Sequence, residues 1–357
     1  MTEPTPDFTT PPLEAKAGVR PWRKNGYRLE GRQSTSNPRK YIVHNYGHGG
    51  AGITLSWGVA SQVRDLVRAR AAATSDTAVA VLGSGVMGLT AATLIHELGL
   101  TVTVYARDFW EKTTSNIAGG QWSPSSVIYA DTAKFKDVLK TAYTRFAGDV
   151  GNGFGVSRKF NYTPELDPYL DLVVDLVPGL IPAPVPMNLP FEHLTTPGFK
   201  YETLLIEPPI FLRKLDADLR AKQVEFKRRT FTNVASVLGL AENIIVNCTG
   251  LGAKDIWSDN DVHPIKGHLA LLKPQPPLTY LLSRNGYLFP RADGVVIGGT
   301  YRFDDATTNA EPNVIKQLVD HMKGVFGVGP AVPLPSFHID HPANRRIIAT
   351  EKVSAGV

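Results

Sequence analysis

Three glycines, Gly83, Gly85 and Gly88, have the spacing of a turn that binds nucleotide phosphates. The apolar run Ala78–Leu82 precedes them, and an alanine-rich segment follows as far as Leu98. In such a turn the first glycine permits a tight reversal, the second lets the backbone approach a pyrophosphate, and the third lets the helix pack closely on the strand. The free N–H groups of the first helical turn then face the phosphates. The spacing therefore predicts a strand, a turn and a helix that bind a dinucleotide.

The end of the next predicted strand bears on which dinucleotide binds. Residues 101–105 form that strand, and Ala106-Arg107-Asp108 follows it. An NAD-binding fold usually carries Asp or Glu at the strand end, where the acid holds the ribose hydroxyls. Here the acid is displaced by two residues and accompanied by Arg107. NAD is therefore less favoured, while NADP and a different arrangement around adenosine both stay open.

A second strand, glycine turn and helix is predicted upstream of the first. Residues 41–45 are strand-like, residues 48–52 are glycine-rich, residues 53–69 carry apolar residues at helical spacing, and residues 71–77 link this unit to the first. These glycines could face the same cofactor or form a plain connection. We favour the cofactor because a helix follows.

A metal site is not expected, although His44 and His48 stand four residues apart. That spacing places two ligands on one face only in a helix, and glycines surround both histidines here. We expect the two histidines to orient the loop.

Length and composition indicate a globular protein of two modest domains or one interleaved one, with 357 residues of which 43% are hydrophobic. The lone Cys248 excludes an intrachain disulfide and a cysteine-based metal cluster. No apolar run is long enough to span a membrane, and residues 1–12 do not resemble a signal peptide. The net charge of +5 is spread along the chain, which argues against a nucleic-acid partner. We expect a cytoplasmic protein without a membrane partner.

The remaining pattern predicts elements on both sides of the glycine turns. They are a disordered lead over residues 1–16, helices over 134–148, 211–222 and 312–326, an irregular connection over 178–190, and strands over 225–231, 244–248, 269–273, 287–290 and 295–300.

Seven separate segments together resemble the D-amino-acid oxidase family of FAD enzymes, which includes D-aspartate oxidase. They are the glycine turn, Ala106-Arg107-Asp108, residues 113–122, Asn247-Cys248-Thr249-Gly250, residues 287–291, residues 298–301 and residues 44–52. The likeness covers most of residues 17–357.

The resemblance implies an α/β fold in which a Rossmann-type FAD-binding domain is interleaved with a second α+β substrate domain built on a mixed or antiparallel sheet. The expected division is the lead over residues 1–16, a substrate-domain segment over 17–40, FAD-binding segments over 41–135, a mixed helical and loop segment over 136–200, a further FAD-binding segment over 201–255 and the substrate domain over 256–357.

The resemblance also implies which residues surround FAD. The pyrophosphate would lie against Gly83, Ser84, Gly85, Val86, Met87 and Gly88, and the adenosine part against Arg107 and Asp108. Thr113, Thr114 and Ser115 would reach the phosphates or the ribityl chain, and Gly119, Gly120 and Gln121 would line the flavin ring. The pyrimidine end of the ring would meet backbone N–H groups, and the Thr54 hydroxyl, from Gly49, Gly50, Ala51, Gly52, Ile53 and Thr54. Gly250 marks a further close approach of the backbone at a strand end.

On the substrate side, the resemblance implies that Arg20 grips the α-carboxylate, since a planar guanidinium binds a carboxylate through two parallel hydrogen bonds. Tyr287 would donate to the same carboxylate, Tyr301 would wall or hydrogen-bond the substrate, and the Gly50 carbonyl would accept from the amine. The implied reaction moves a hydride from the α-carbon of a D-amino acid to flavin N5. Dioxygen then yields hydrogen peroxide, and the imino acid hydrolyses to a 2-oxo acid and ammonia. Such a step needs no catalytic His or Glu.

Alternatives remain beside neutral D-amino acids as substrates. A D-aspartate preference would need a second cation, for which Arg284 and Arg302 are candidates, and a glycine or secondary-amine oxidase is a further alternative. Outside this class, a nicotinamide-dependent dehydrogenase would leave residues 113–122 unexplained, and a catalytically impaired flavin-binding protein stays open. The expected partners are a D-amino acid and dioxygen, with a homodimer as an open alternative.

The order of segments departs from the family. Ordinary members begin with the pyrophosphate turn and end with the arginine segment and the His-Asn-Tyr-Gly-His loop, whereas this chain places both ahead of the turn. The tripeptide Ala355-Gly356-Val357 also repeats the one before Arg20. We interpret the order as a circular permutation and expect a substrate site that is intact but looser.

Two smaller departures concern the substrate side. Lys266-Gly267-His268 stands where the family usually has Arg-Gly-Gln, and Ser283 stands where vertebrate members carry a second tyrosine. We expect the first to alter flavin-side electrostatics and the second to favour a fungal-type pocket.

Overall fold

A computed structural model describes residues 2–335 of the chain. The last tripeptide and the end of the predicted 256–357 segment lie outside these residues. The described part contains strands β1 (Glu14–Arg23), β2 (Arg28–Gln33), β3 (Tyr41–Tyr46), β4 (Ala78–Leu82), β5 (Thr101–Ala106), β6 (Val156–Thr163), β7 (Val185–Asn188), β8 (Pro197–Ile206), β9 (Glu225–Arg228), β10 (Ile244–Asn247), β11 (Val262–Leu272), β12 (Leu281–Ser283), β13 (Tyr287–Arg291), β14 (Gly294–Gly298) and β15 (Arg302–Phe303). Its helices are α1 (Gly52–Thr74), α2 (Val86–His96), α3 (Thr114–Ile117), α4 (Thr132–Gly148), α5 (Pro168–Leu176), α6 (Pro208–Ala221), α7 (Val234–Leu238), α8 (Gly252–Trp257) and α9 (Pro312–Val325), and short 3-10 turns cover Gly49–Ala51 and Trp110–Lys112.

One sheet of six strands has the order β2-β3-β10-β4-β5-β9. All pairs from β3 to β9 are parallel, and β2 pairs with β3 antiparallel. Helix α1 packs against both α2 and α4, and Trp57, Phe135 and Phe146 are buried in the core beneath these helices. A parallel sheet covered by helices is what alternating strand and helix patterns predict.

A second sheet of nine strands has the order β1-β11-β14-β13-β12-β6-β8-β7, with β15 paired to β11. It is mixed, because β12 and β6 pair in parallel while their neighbours are antiparallel. Helix α9 packs on β11 and β14 through the buried Leu318 and Met322. The expected α/β architecture with a Rossmann-type sheet and a second mixed sheet is confirmed.

The first residues differ from the expected disordered lead. The Glu3 N–H donates to the Pro190 carbonyl at 2.7 Å, and the Tyr280 hydroxyl donates to the Pro4 carbonyl at 2.7 Å. Phe8 is buried, with its ring 6.1 Å from that of Phe326. One aromatic anchor and backbone pairing order a proline-rich segment whose composition alone indicated disorder.

Four predicted boundaries also shift. Helix α1 continues through residues 71–74, which were expected to be a link, and it ends at Ser75 in the left-handed region with φ 56°. The irregular 178–190 connection contains β7, whose Pro186 is tolerated because β7 is an edge strand. Strand β9 ends at Arg228 because its partner β5 ends at Ala106. Strand β11 starts seven residues before the predicted 269, since Pro264 and Gly267 obscure its pattern.

Among the residues that the structure describes, no helix combines the length and the apolar character needed to cross a membrane.

Candidate active site

Four parallel strand ends meet at one edge of the six-stranded sheet. Strands β3, β10, β4 and β5 run side by side in the same direction, so their carboxyl ends open together. The segments that leave them are the ones singled out from the sequence: residues 47–52, 248–252, 83–88 and 107–115. In open α/β sheets, ligands bind outside the carboxyl ends of the strands.

The glycine turn has the backbone that its spacing predicts. Gly83 has a φ of 106°, and a Cβ there would lie 2.5 Å from the Cys248 carbonyl oxygen. A Cβ on Gly88 would collide with the Gly83 carbonyl. Gly85 begins α2, and a Cβ there would meet only the Ser115 Oγ at 3.1 Å and Thr113 at 3.9 Å. The structure therefore has the tight turn at Gly83 and the close helix packing at Gly88 that the spacing predicts. The start of α2 faces residues 113–115.

The hydroxyls around this turn have distinct partners. Ser115 Oγ accepts from the Val86 N–H at 3.0 Å and so caps the first turn of α2. Ser84 Oγ donates to the Asp108 carbonyl at 2.8 Å. Thr113 Oγ1 donates to the Trp110 carbonyl at 2.8 Å and Thr114 Oγ1 to the Val19 carbonyl at 3.0 Å. Among these four hydroxyls, that of Ser115 is the one placed at the helix N-terminus.

The two residues expected beside adenosine pair with each other. Arg107 Nε lies 2.7 Å from Asp108 Oδ2, and 76% of the Arg107 side chain is exposed. Because this is a surface ion pair, it costs little to separate when a ligand arrives.

The upstream glycine loop lies directly beside the first turn. A Cβ on Gly52 would be 3.9 Å from Val86 and 4.0 Å from Met87, so the starts of α1 and α2 adjoin. Gly50 is covered by Ser125, whose carbonyl oxygen would lie 2.9 Å from an added Cβ. The two glycine units therefore lie side by side, and a shared ligand stays a prediction.

The side chains of this loop do not point into a site. Ala51 and Ile53 are buried in the helical core, which leaves only their backbone groups for a ligand. Thr54 Oγ1 donates to the Ser123 carbonyl at 2.8 Å and accepts from the Ser123 N–H at 3.1 Å. The hydroxyl that we expected beside a flavin ring thus ties α1 to residue 123, because a buried hydroxyl needs partners of its own.

Residues 119–121 lie against strands β8 and β13 of the nine-stranded sheet. A Cβ on Gly119 would be 2.9 Å from the Tyr287 ring and 3.1 Å from the Phe289 ring. Gly120 has a φ of 109°, and its carbonyl accepts from the Ile206 N–H at 2.8 Å. Gln121 pairs with Leu205, and its Nε2 is buried without a partner among residues 2–335. This segment therefore places a flat glycine surface and an unpaired amide beside the tyrosine predicted to bind substrate.

The loop histidines are neutral spacers. His44 Nδ1 lies 3.1 Å from Asn247 Nδ2, and the His48 ring stacks on Tyr27 at 4.8 Å. Burial lowers the pKa of each histidine to about 3. No group of metal-binding side chains occurs in the described part of the chain. The last predicted position, Gly250, has a φ of 56° and lies beside Pro21.

The fold brings Arg20 close to Tyr287 and Tyr301, although Arg20 and Tyr287 are 267 positions apart in the chain. The Arg20 guanidinium carbon lies 4.5 Å from the centre of the Tyr301 ring, and Nη1 donates to the Thr300 carbonyl at 3.2 Å. The Arg20 guanidinium is close enough to Tyr287 for its charge to act on the phenol, but burial dominates and raises the pKa of Tyr287 to about 12, so the phenol stays protonated. We call these three residues the substrate clamp. Gly50 belongs to the loop that contacts β1, the strand of Arg20.

Sequence inspection missed the residues that shape this clamp. A Cβ on Gly267 would lie 2.7 Å from Arg20 Nη2, so a larger residue there would push the guanidinium out of its present position. Arg291 Nη1 donates to the Ala118 carbonyl at 2.9 Å and holds the segment ahead of Gly119. The sequence did contain a signal for Gly267, the unusual Lys266-Gly267-His268 run. The role of Arg291 can be recognised only from the fold.

A buried charged cluster backs the clamp. The His268 N–H donates to Thr300 Oγ1 at 2.7 Å, and His268 Nε2 lies 3.5 Å from Glu311 Oε1. Lys266, with 1% of its side chain exposed, lies 3.1 Å from the same carboxylate oxygen. Arg302 donates to Glu311 Oε2 at 3.0 Å, and its hydrogen bonds, followed by those of Lys266, lower the pKa of Glu311 to about 2. The carboxylate therefore holds two cations behind the residues that would bind substrate.

Comparison with known proteins agrees with this arrangement. The family model for FAD dependent oxidoreductases named DAO matches residues 184–342. The D-amino-acid oxidase of Streptomyces coelicolor is 29% identical over 257 residues, covering 68% of this chain and 76% of that protein. Human D-aspartate oxidase is 28% identical over 251 residues, covering 64% of this chain and 70% of that protein. Among solved structures, the L-amino acid deaminase from Proteus vulgaris superposes with a TM-score of 0.47 at 14% identity, and the match covers 62% of this chain and 60% of the deaminase.

The family model and the curated relatives indicate a flavin-dependent oxidoreductase. The chain is similar to D-amino-acid oxidases and D-aspartate oxidase, and these matches indicate FAD as its cofactor. The residues present fit that cofactor: the start of α2 offers backbone N–H groups beside Gly85, and a buried Gln121 amide lacks a partner among residues 2–335.

Proposed function

We propose that the protein catalyses the oxidative deamination of D-amino acids, with release of hydrogen peroxide, ammonia and a 2-oxo acid. The observation that carries the proposal is the convergence of Arg20, Tyr287 and Tyr301 beside the Gly119 segment. FAD, when bound, accepts the hydride from the substrate α-carbon and passes the electrons to dioxygen.

The clamp residues act by position. Arg20 would pair with the α-carboxylate through its planar guanidinium, and Tyr287, as a protonated phenol, would donate to the same group. Tyr301, under the guanidinium, fixes the direction in which Arg20 points. Holding the carboxylate at two points, with the amine on the Gly50 carbonyl, would set which face of the α-carbon is presented, which supplies proximity rather than acid or base catalysis.

The cofactor roles extend this proposal. Gly83 to Gly88 would cradle the pyrophosphate, Arg107 and Asp108 would lie near adenosine, and Ser115 would sit beside the phosphates, since it already bonds to the Val86 N–H. Residues 49–54 would contribute backbone N–H groups alone, because the Thr54 hydroxyl is committed to Ser123. Donors of this kind stabilise negative charge on a reduced ring.

One argument for D-aspartate is weakened, so neutral D-amino acids stay the leading substrate class. Arg302, one of the two candidate second cations, is bound by Glu311 and Asp305. Withdrawing it would break a charge-assisted pair, so Arg284 is the remaining candidate.

A peroxide assay with added FAD over D- and L-amino acids tests the function. We expect yellow protein that releases peroxide with D-alanine and not with L-alanine. Protein that is colourless, or that is silent toward every D-amino acid, would contradict the proposal, and nicotinamide-dependent turnover would favour the dehydrogenase alternative.

We also infer that the order of segments is a circular permutation of the family order. Helix α1 ends three residues before β4 begins, and β3 and β4 both flank β10, so the upstream unit fills a place in the sheet beside the pyrophosphate unit. A chain reordered to begin at Ala78, and to run from Val357 into Arg20, should fold and bind FAD. Failure of that chain to fold would contradict the inference.

The structure changes what we expect of the permuted site. We expected looseness because Arg20 would follow a chain cut, yet residues 14–19 ahead of it pair with residues 266–271 of β11. Strand pairing fixes Arg20 from both sides. The reordered chain lacks residues 14–19, so its KM is expected to be no lower than that of the original chain, and a lower KM in the reordered chain would favour the looser site.

A further inference from the structure

We propose that Asn161 and Ser283 form a polar subsite that binds a hydrogen-bond acceptor in the substrate side chain. The inference rests on the proposed function and narrows its substrate class to uncharged D-amino acids with a side-chain carbonyl or hydroxyl. It is carried by the register of three strands and by one unpaired buried amide.

Strand register places the two residues on the face that carries the clamp tyrosine. Ser283 in β12 lies opposite Tyr287 in β13, and Leu281 lies opposite Asn161 in β6. Directly opposed residues share a face, and so do residues two apart along a strand. Asn161, Leu281, Ser283 and Tyr287 therefore line one face of the nine-stranded sheet. It is the face covered by Gly119, because the Tyr287 and Phe289 rings lie against that glycine.

The Asn161 amide has one satisfied end and one that lacks a partner. Asn161 is 0% exposed, and its Oδ1 accepts from Ser283 Oγ at 3.3 Å. Its Nδ2 is buried and has no hydrogen-bond partner among residues 2–335. Native proteins pair nearly all buried polar atoms, and an exception calls for a ligand or a functional reason.

The surroundings make this donor selective. Leu205, Leu281 and Phe289 form one apolar cluster with Tyr287 on the same face. A polar donor surrounded by apolar residues favours binding of a substrate side chain that accepts its hydrogen bond. An apolar side chain of the same shape binds less well, because it leaves the buried donor unpaired.

The expected class is uncharged because the free donor of the subsite, Asn161 Nδ2, is neutral, and the Ser283 hydroxyl already donates to Asn161 Oδ1. A carboxylate would need a cation to offset its desolvation. Arg302 is held by Glu311 and Asp305, and the other candidate, Arg284, lies beyond the end of β12, outside the strand face that carries the subsite. D-Asparagine carries a hydrogen-bond acceptor, its side-chain carbonyl oxygen, on a short branched side chain. D-Leucine has a side chain of nearly the same shape that is apolar.

The test compares these two substrates in the wild type and in Asn161→Leu. We expect the wild type to favour D-asparagine in kcat/KM, and the substitution to lower the D-asparagine to D-leucine ratio on the order of tenfold, the worth of one buried hydrogen bond. Thr163→Val is the matched control. Thr163 lies on the same strand and face, is also buried and has an unpaired hydroxyl among residues 2–335, but it is one further pair from Tyr287. Its ratio should equal that of the wild type.

A binding measurement separates this subsite from the chemistry. Calorimetric titration of the FAD-loaded protein with succinamate and with 4-methylpentanoate, which lack the reacting amine, should show the same loss of preference in Asn161→Leu. An unchanged ratio in both experiments would overturn the subsite. If Asn161→Leu does not fold, Ser283→Ala takes its place, because it removes the hydroxyl that holds the amide.

Failure of the proposed function gives a different result. A wild type that turns over no D-amino acid would overturn the oxidase proposal, while a preference for succinamate that Asn161→Leu abolishes would still support the subsite. Active enzyme with no difference between the two substrates would overturn the subsite alone.

Discussion

The cofactor edge and the substrate clamp are built from different parts of the chain. At the cofactor edge, glycines and backbone groups do the positioning: Gly83, Gly88 and Gly119 each lie where a Cβ would meet backbone or a ring. At the clamp, side chains from β1, β13 and the β14–β15 connection converge, and charged partners behind them fix their directions. Backbone sites tolerate almost no added atom, whereas side-chain sites depend on the chemistry of a few groups.

The largest effect is expected from Gly88→Ala at the cofactor edge. Its Cβ would meet the Gly83 carbonyl, which is backbone and cannot move aside without opening the turn. We expect loss of bound flavin, measured by absorption after desalting. Gly148→Ala, where nothing lies within 4 Å of the added Cβ, should keep its flavin. Full flavin content in Gly88→Ala would show that the turn is not a close-packed binding element.

The next effect separates the clamp from the cofactor edge. Arg20→Lys keeps the positive charge but loses the planar fork, so kcat/KM for a D-amino acid should fall by about 10² to 10³-fold, mainly through KM. Flavin content should be unchanged. Arg32→Lys, an exposed arginine paired with Glu30, is the control and should behave as the wild type. An unchanged KM in Arg20→Lys would remove Arg20 from the clamp.

Acid should lower the stability of the folded protein through His48, in the loop at the cofactor edge. Burial lowers the pKa of His48 to about 3 from its ordinary 6.5, so the folded state stays neutral while the unfolded state takes up a proton. Stability is therefore lost as pH falls below about 6.5. In His48→Gln this part of the loss should disappear, measured as a shallower decline of Tm between about pH 6.5 and pH 5. An identical slope in both proteins would contradict a buried neutral His48.

The smallest effect concerns the cluster behind the clamp. The pKa of Glu311 is lowered to about 2, so its contribution is present above the ordinary 4.5 and lost as pH falls toward 2. Glu311→Gln should lower Tm at neutral pH, and the difference from the wild type should shrink below about pH 4.5. Because a third of the side chain is exposed, the effect should be modest. Glu192→Gln, at an exposed position, should show no such pH dependence. A difference that persists in acid would assign Glu311 a packing role.

The cofactor site was open to prediction because its signals are local. The 83–88 spacing, the 48–52 loop and the 244–248 strand each occupy a few consecutive residues, and the structure places all of them at one sheet edge. We expected the Thr54 hydroxyl to bind a ligand. The sequence could not show that this hydroxyl donates one hydrogen bond to the Ser123 carbonyl and accepts another from the Ser123 N–H.

The substrate side depended on resemblance for Arg20, Tyr287 and Tyr301. Nothing local distinguishes an arginine on an antiparallel strand from a surface residue, and its surroundings come from residues more than 240 positions away. Gly267, Arg291 and Asn161 were not selected, because their importance lies in which strand lies beside them.

The sequence by itself determined a dinucleotide cofactor, the parallel sheet and the positions of the glycine turns, because backbone conformation and hydrophobic period are properties of short segments, whereas FAD in particular came from the family resemblance. Only the tertiary structure decided that the first residues pack on the second sheet, that strand pairing holds Arg20 on both sides, and that Asn161 shares a face with Tyr287. Those outcomes depend on strand register between distant segments, and register is fixed by the packing of the whole sheet.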